Sequence, residues 1–423
     1  MERVEFTREM KKDYTILVPD MLPVHFALLT KVFALHGYRM EVLKNEGQGV
    51  VDAGLQYVHN DTCYPALLCI GQFIDALKSG RYDLHRTALM ITQTGGGCRA
   101  SNYIHLLRKA LKKADLDFVP VISLNPSGLE KNSGFAFTPS LLVEALYSIL
   151  YGDVLMLLKN QAEPYERQPG SAQALTGRWV EALTGQFKKN ALLPVLRFKR
   201  NLAAIARDFE ALERTREEKI KVGIVGEIYV KFSAMGNNHL EQFLLDQGCE
   251  VRVPGLLGFL AYCVEVRIDD IDLYGGSRAM RWVLRRAMDV LTHIEKVIAR
   301  IIRKNSSYQP AELFRVSKSH LNGLLGLGCK MGEGWLLPSE MIELIESGGN
   351  NIVCAQPFGC LPNHVCGKGM IRKIRELYPQ SNIVAIDYDP GATRVNQENR
   401  VKLMLAVARE NLASKTGDST NQA

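Results

Sequence analysis

The chain has 423 residues, 47% of them apolar and 23% charged, with a net charge of +7. That length exceeds one ordinary hydrophobic core and implies two or three domains, while the composition excludes a disordered or fibrous protein. The basic excess is mild, and its densest patch, "RFKRN" at 197–201, forms no stripe of the kind a nucleic-acid surface needs.

The opening "MERVEFTREMKKDY" is charged throughout and holds no apolar core of a signal peptide. No stretch reaches about 18 uncharged apolar residues, and "VPGLLGFLAYCVEV" falls short, so no membrane span is expected. Nine cysteines, an odd number, without an export signal argue for a reducing cytoplasm in which they serve as thiols or metal ligands.

In chain order, "YTILVPD" (14–20) reads as a strand, "HFALLTKVFALHGY" as a helix ending at Gly37, and "MEVL" as a second strand. The amphipathic "ALLCIGQFIDALKSG" leads into a third strand, "TALMITQT" (87–94), and "NYIHLLRKALKKA" into a fourth, "FVPVISLN" (118–125). Strands alternating with helical patterns imply a parallel sheet. From about 139 to 218 the pattern is helical. "KVGIVGEIYV" (221–230) restarts an α/β unit, continued by "EQFLLDQGCEVRVP", a helical insert near 279–303, "NNIVCAQPFGC" and "NIVAIDYDPG". The expected architecture is α/β: two Rossmann-like lobes with parallel sheets, residues 1–138 and 219–412, a helical connector at 139–218, and a disordered tail at 413–423.

The informative loops are "YVHNDTCYP", "ITQTGGGCR", "VGIVGE", "VCAQPFGCLPNH" and "AIDYDPG", and each is read as following a strand. In open parallel sheets ligands bind at the carboxyl ends of the strands, and a cleft between two lobes is the expected site. "TGGGCRAS" fits neither phosphate-loop pattern, and "GKGMIRK" misses the dinucleotide one, although a backbone anion nest stays open. No Cys-x-x-Cys pair exists, which argues against a structural zinc ribbon. Scattered single cysteines are compatible with an iron–sulfur cluster held between lobes, and equally with small buried hydrophobes.

The wording of the motifs says more. "NDTCYPALLCIGQFIDALKSGRYD", "TQTGGGCRASNYIHLLRKAL", "GEGWLLPSEMIELIESG", "NIVCAQPFGCLPNHVCGKGMI" and "IVAIDYDPGATRVNQENRVKLML", running from about 14 to 408, resemble the D-component-like, activase-related family of 2-hydroxyacyl-CoA dehydratase proteins, whose relatives include double-cubane cluster proteins. The resemblance implies a cysteine-bound iron–sulfur cluster, [4Fe–4S] or double cubane, in an interlobe cleft. It implies single electrons from a separate ATP-hydrolysing activase, spent on radical dehydration of an acyl-CoA (a lyase) or on reduction of a small molecule (an oxidoreductase). It further implies a homodimer or heterodimer. A non-catalytic electron-transfer or assembly partner of an ATPase is the alternative, and a cluster-free α/β binding module a third reading.

Carried over to this sequence, Cys63, Cys98 and Cys360 are the first ligands and Cys354 a fourth, with Cys329 and Cys366 less favoured. Cys63 and Cys69, like Cys360 and Cys366, are six apart and would point about 120° apart on a helix; Cys69 sits in an apolar face, and Cys249 and Cys263 read as core. Gly95, Gly96 and Gly97, without β-carbons, would let the loop wrap the cluster, and Arg99 would offset its charge. Glu227 and Glu333, on Gly-flanked turns, are candidates for proton transfer, as is His364; each is equally read as a turn or capping residue. Asp387 and Asp389 read as turn and capping residues, and Arg394 stands where relatives often carry an acid.

Overall fold

The computed structural model describes residues 3–59, 61–93, 97–125, 130–190 and 192–420. It holds two four-stranded parallel sheets. The first contains β1 (Thr15–Val18), β2 (Arg39–Val42), β3 (Thr87–Thr92) and β4 (Val121–Leu124), in the order β2-β1-β3-β4. The second contains β5 (Lys221–Gly226), β6 (Glu250–Arg252), β7 (Asn351–Pro357) and β8 (Asn382–Tyr388), in the order β6-β5-β7-β8. Each lobe is therefore wound the same way: strand two at one edge, strands one and three in the centre, strand four at the other edge. The central strands "TALMIT", "KVGIVG" and "NIVCAQP" are buried on both faces, which explains their continuous apolar runs.

One apolar cluster is continuous from lobe to lobe, joining Leu17, Leu89 and Phe73 of the first to Val222, Ile224 and Val353 of the second. The lobes thus touch directly, and the helical segments pack beside this core rather than only between the lobes. Pro139–Ala162, Ser171–Lys189 and Phe198–Glu210 share a second cluster with Leu257 and Ile302, which come from the helices Leu256–Tyr274 and Arg278–Asn305. A polar knot fixes this layer. The Asp153 carboxylate receives the buried His25 Nε2 at 2.7 Å and the amides of Leu256 and Leu257 at 2.8 Å each, tying first lobe, connector and second lobe together.

The Pro139–Tyr165 stretch is long and apolar enough to cross a membrane, with a mean hydropathy of 1.8. Its charges, Glu144, Asp153, Lys159 and Glu163, are spread far enough apart to leave such a window. In this fold 56% of that window is buried inside the chain, and Glu144, Ser148 and Asn160 of the helix are buried. The last helix, Arg394–Thr420, also runs on into the stretch expected as a tail.

Candidate functional site

The segment before Cys63 is a helix, Gln48–Tyr57, not the strand expected there. Glycines explain it. A β-carbon on Gly71 would lie 2.2 Å from the Val50 carbonyl, and one on Gly54 2.6 Å from Leu67. The Gln48–Tyr57 and Tyr64–Lys78 helices therefore cross at backbone distance, and the short link between them sets Cys63 directly ahead of Tyr64. Cys98 occupies the same kind of place ahead of the turn Arg99–Asn102 and the Tyr103–Lys113 helix. Cys360 follows β7 and precedes the helical turns at 361–367. All three expected ligands thus stand at the start of a helical segment, where unpaired N–H groups favour negative charge.

The sulfurs are well supplied with donors. Cys63 Sγ lies 2.9 Å from the Tyr103 hydroxyl, and Asn363 Nδ2 donates to Cys360 Sγ at 3.2 Å. Backbone groups of Ala66, Ala100 and Asn363 add hydrogen bonds to Cys63, Cys98 and Cys360. Burial outweighs these donors, pushing the Cys98 thiol up to about 11 and the thiols of Cys63 and Cys360 upward as well. Loading a metal here would release protons, because only the thiolate binds.

The lobes meet at these cysteines. Tyr64 N donates to the Phe358 carbonyl at 3.0 Å, and a β-carbon on Gly359, whose φ is +73°, would sit 3.3 Å from Cys63 Cα. Arg99 Nη1 donates to the Asp61 carbonyl, linking the Cys98 and Cys63 loops. A β-carbon on Gly332 would lie 3.8 Å from Cys98 Sγ and 3.2 Å from Pro362. One on Gly97 would strike Met331 Sδ at 2.2 Å, so the glycine makes room for that side chain. Gly95 and Gly96 lie outside the described residues.

Glu227 and Glu333 are buried rather than solvated, at 9% and 5% exposure. Both cap the Ile228–Phe232 helix: Glu227 Oε2 accepts from Val230 N at 2.9 Å, and Glu333 Oε1 from Ile228 N at 3.0 Å. Burial, then the charge of Glu333, pushes Glu227 up to about 8, and burial raises Glu333 too. The charge of Glu227 acts on Cys63, Cys98 and Cys360, and that of Glu333 on Cys98 and Cys360. The charge of one buried carboxyl pair therefore reaches thiols of both lobes, and burial favours the protonated form of both carboxyls.

The other sequence-expected residues lie elsewhere. Cys354 is inside β7, on the sheet face that packs with Leu337 and Met341, its sulfur 3.9 Å from Gln356 Nε2. Cys366 shares that cluster and hydrogen-bonds the exposed Cys329. Cys69 is buried in its helix. His364 is half-buried, its amide bonded to the Cys360 carbonyl at 3.2 Å. Asp387, expected in a turn, lies inside β8 in register with Gln356 and accepts from Lys368 at 3.3 Å, whereas Asp389 accepts from the Gly391 amide at 2.7 Å as a turn residue does. Arg394 pairs with Glu398 one turn on. Sequence reasoning missed Tyr103 and Asn363, although each stands a few residues beyond a cysteine, at five and at three. It also missed the buried ion pair of Lys231 with Glu340, 2.9 Å apart.

Among the described residues no three His, Cys, Asp or Glu side chains converge on one metal-ion position. An iron–sulfur cluster takes one thiolate per iron and accepts N–H and O–H donors at its sulfurs. The chain matches no protein-family model and no curated protein.

Proposed function

We propose that this chain is a low-potential iron–sulfur protein on the plan of the 2-hydroxyacyl-CoA dehydratases, with Cys63, Cys98 and Cys360 holding a cluster in the interlobe cleft. An ATP-hydrolysing partner would supply single electrons for dehydration of an acyl-CoA or reduction of a small molecule. The observation that carries this reading is the approach of the Cys63, Cys98 and Cys360 segments at the seam between lobes, through the 3.0 Å bond of Tyr64 N to the Phe358 carbonyl and the packing of Gly359 against Cys63 and of Gly332 against Cys98 and Pro362. A bound cluster would supply one-electron transfer at low potential.

The chain's own residues have separate tasks. Tyr103 and Asn363 donate to ligand sulfurs, which favours the reduced, more negative state and raises its potential. Gly359 and Gly332 let backbone close over the site. Glu227 and Glu333 cap the Ile228–Phe232 helix, and burial favours their protonated forms. Cys354 is left out of the ligand set, because its sulfur faces the core of the second lobe. Cys329 and Cys366 adjoin one another and are the thiols a double cubane would recruit.

The test is iron and acid-labile sulfide per chain after anaerobic purification and reconstitution, with EPR of the reduced sample. About four irons mark a single cubane and about eight a double one, and the nuclearity directs the substrate assay. A chain that takes up no iron would refute the reading.

A further inference from the structure

Holding a cluster makes no use of the Arg278–Asn305 helix, which carries eight Lys or Arg against two Asp or Glu, in a chain whose whole net charge is +7. Its cations form two quartets, Arg278, Arg281, Arg285 and Arg286, then Lys296, Arg300, Arg303 and Lys304. The quartets start eighteen positions apart, which is about five turns, so both lie on one face of the helix. The first is balanced: Arg281 and Arg285 pair with Asp272, and Arg286 with Asp289. The second is not. Among the described residues none of its four members forms an ion pair, and Glu312, the one carboxylate lining their groove, is held by His320 Nε2 at 2.8 Å.

The four unpaired cations are exposed and line an open groove of about 660 Å³, together with the buried Ala299 and with Leu313 and Val316 from the segment that follows. They spring from about 12 Å of helix. Lys296 and Arg300, like Arg300 and Lys304, are four positions apart, a spacing at which like charges repel and weaken a helix. The helix dipole welcomes Arg303 and Lys304 in the last turn, but its effect fades before Lys296. Folding therefore does not account for the quartet, whereas a bound anion would. The groove has the size of a small organic ligand rather than of a single ion, and Val316, 41% exposed, leaves apolar surface beside the cations.

We infer that this groove binds an organic polyphosphate of the nucleoside di- or triphosphate class, with the phosphates on Lys296, Arg300, Arg303 and Lys304 and the organic part against Leu313 and Val316. The two guanidinium forks take phosphate oxygens in pairs, and the two ammonium groups act as point charges. Four cations within little more than two turns concentrate charge on a space of small-molecule size, which favours adjoining phosphates over the spaced carboxylates of an acidic protein segment. The assignment goes beyond the cluster reading and does not depend on it.

The test is titration calorimetry of the cluster-free chain with magnesium-free ATP, which should bind one per chain. Arg300→Gln with Arg303→Gln should weaken binding by about tenfold or more. Arg281→Gln with Arg285→Gln, which alters the balanced quartet instead, should leave it unchanged. The Arg300→Gln, Arg303→Gln chain loses only exposed, mutually repelling charges and should melt no lower than the parent, so that lost binding is not lost folding. Equal weakening in both double variants would reveal only the general pull of a basic helix and would overturn the site, as would a parent chain that binds no ATP. Tripolyphosphate binding as tightly as ATP, or a glutamate-rich peptide binding more tightly, would also overturn it, the first in favour of a bare anion and the second of an acidic protein. The readout involves no iron, so the groove and the cluster stand or fall separately.

Discussion

The two lobes are wound alike and armed differently. In each, the third strand ends in a loop that carries a cysteine into a helical segment, Cys98 after β3 and Cys360 after β7. In each, the helix leading into that third strand is preceded by a second reactive position. In the first lobe this is Cys63, before Tyr64–Lys78. In the second it is the stretch from Cys329 to Glu333, before Leu336–Glu346. The loop after the first strand differs most: β5 passes through Glu227 into a capped helix, whereas β1 passes through Leu22, at φ 51°, into a helix with no side-chain cap. One winding thus presents thiols alone on one side and a thiol among carboxyls on the other. Topology fixes where loops meet, and side chains decide what the meeting can do.

Breaking the second lobe's acid machinery should cost most. Glu340→Gln leaves the Lys231 ammonium buried and unpaired and should cost about 3–5 kcal/mol in denaturant unfolding. Lys231→Met with Glu340→Leu should restore most of that, and an equal loss in both would show that the pair is itself a source of stability. The seam between lobes comes next. Gly359→Ala meets both the positive φ and the 3.3 Å approach to Cys63, so it should cost about 1–3 kcal/mol. It should also lower iron uptake, while Gly348→Ala, equally at positive φ but in open space, should spare it.

A subtler difference is pH dependence. Burial raises Glu343 to about 8 in the folded chain, against an ordinary value of 4.5. The folded chain keeps a proton that the unfolded chain has lost, so this group favours folding fully at pH 4.5 and below. That contribution falls away as pH rises toward and through 8. Glu343→Gln should flatten the decline in Tm across that window, and an unchanged slope would place the titration elsewhere. Smallest is Tyr103→Phe, which removes one donor to Cys63 and should shift a loaded cluster to more negative potential while leaving iron content unchanged. Loss of iron instead would make Tyr103 a structural support of the ligand.

The eight strands were legible in the sequence, most of them as apolar runs, with β2 (RMEV) and β6 (EVR) found instead from their place between helical patterns. Cys98 and Cys360 were legible as strand-end residues for the same reason. Cys63 was expected after a strand and instead follows a helix, since the crossing of two helices at Gly54 and Gly71 leaves no periodic signal. Cys354 was misleading because strand alternation, not loop membership, aims its sulfur. In β7, Val353 and Ala355 join one core cluster while Ile352 and Cys354 join another. The burial of Glu227 and Glu333 was invisible, for flanking glycines read as solvent turns. Lys231 and Glu340 stand 109 positions apart, and nothing local announces such a pair.

The central claim is that thiols from both lobes hold one cluster, and the most direct measurement is iron content of single serine variants reconstituted side by side. Cys63→Ser, Cys98→Ser and Cys360→Ser should each lose the cluster or bind it unstably, whereas Cys69→Ser and Cys354→Ser should keep the iron of the parent chain. Equal iron in Cys98→Ser and Cys69→Ser, or its loss in Cys354→Ser alone, would contradict the account.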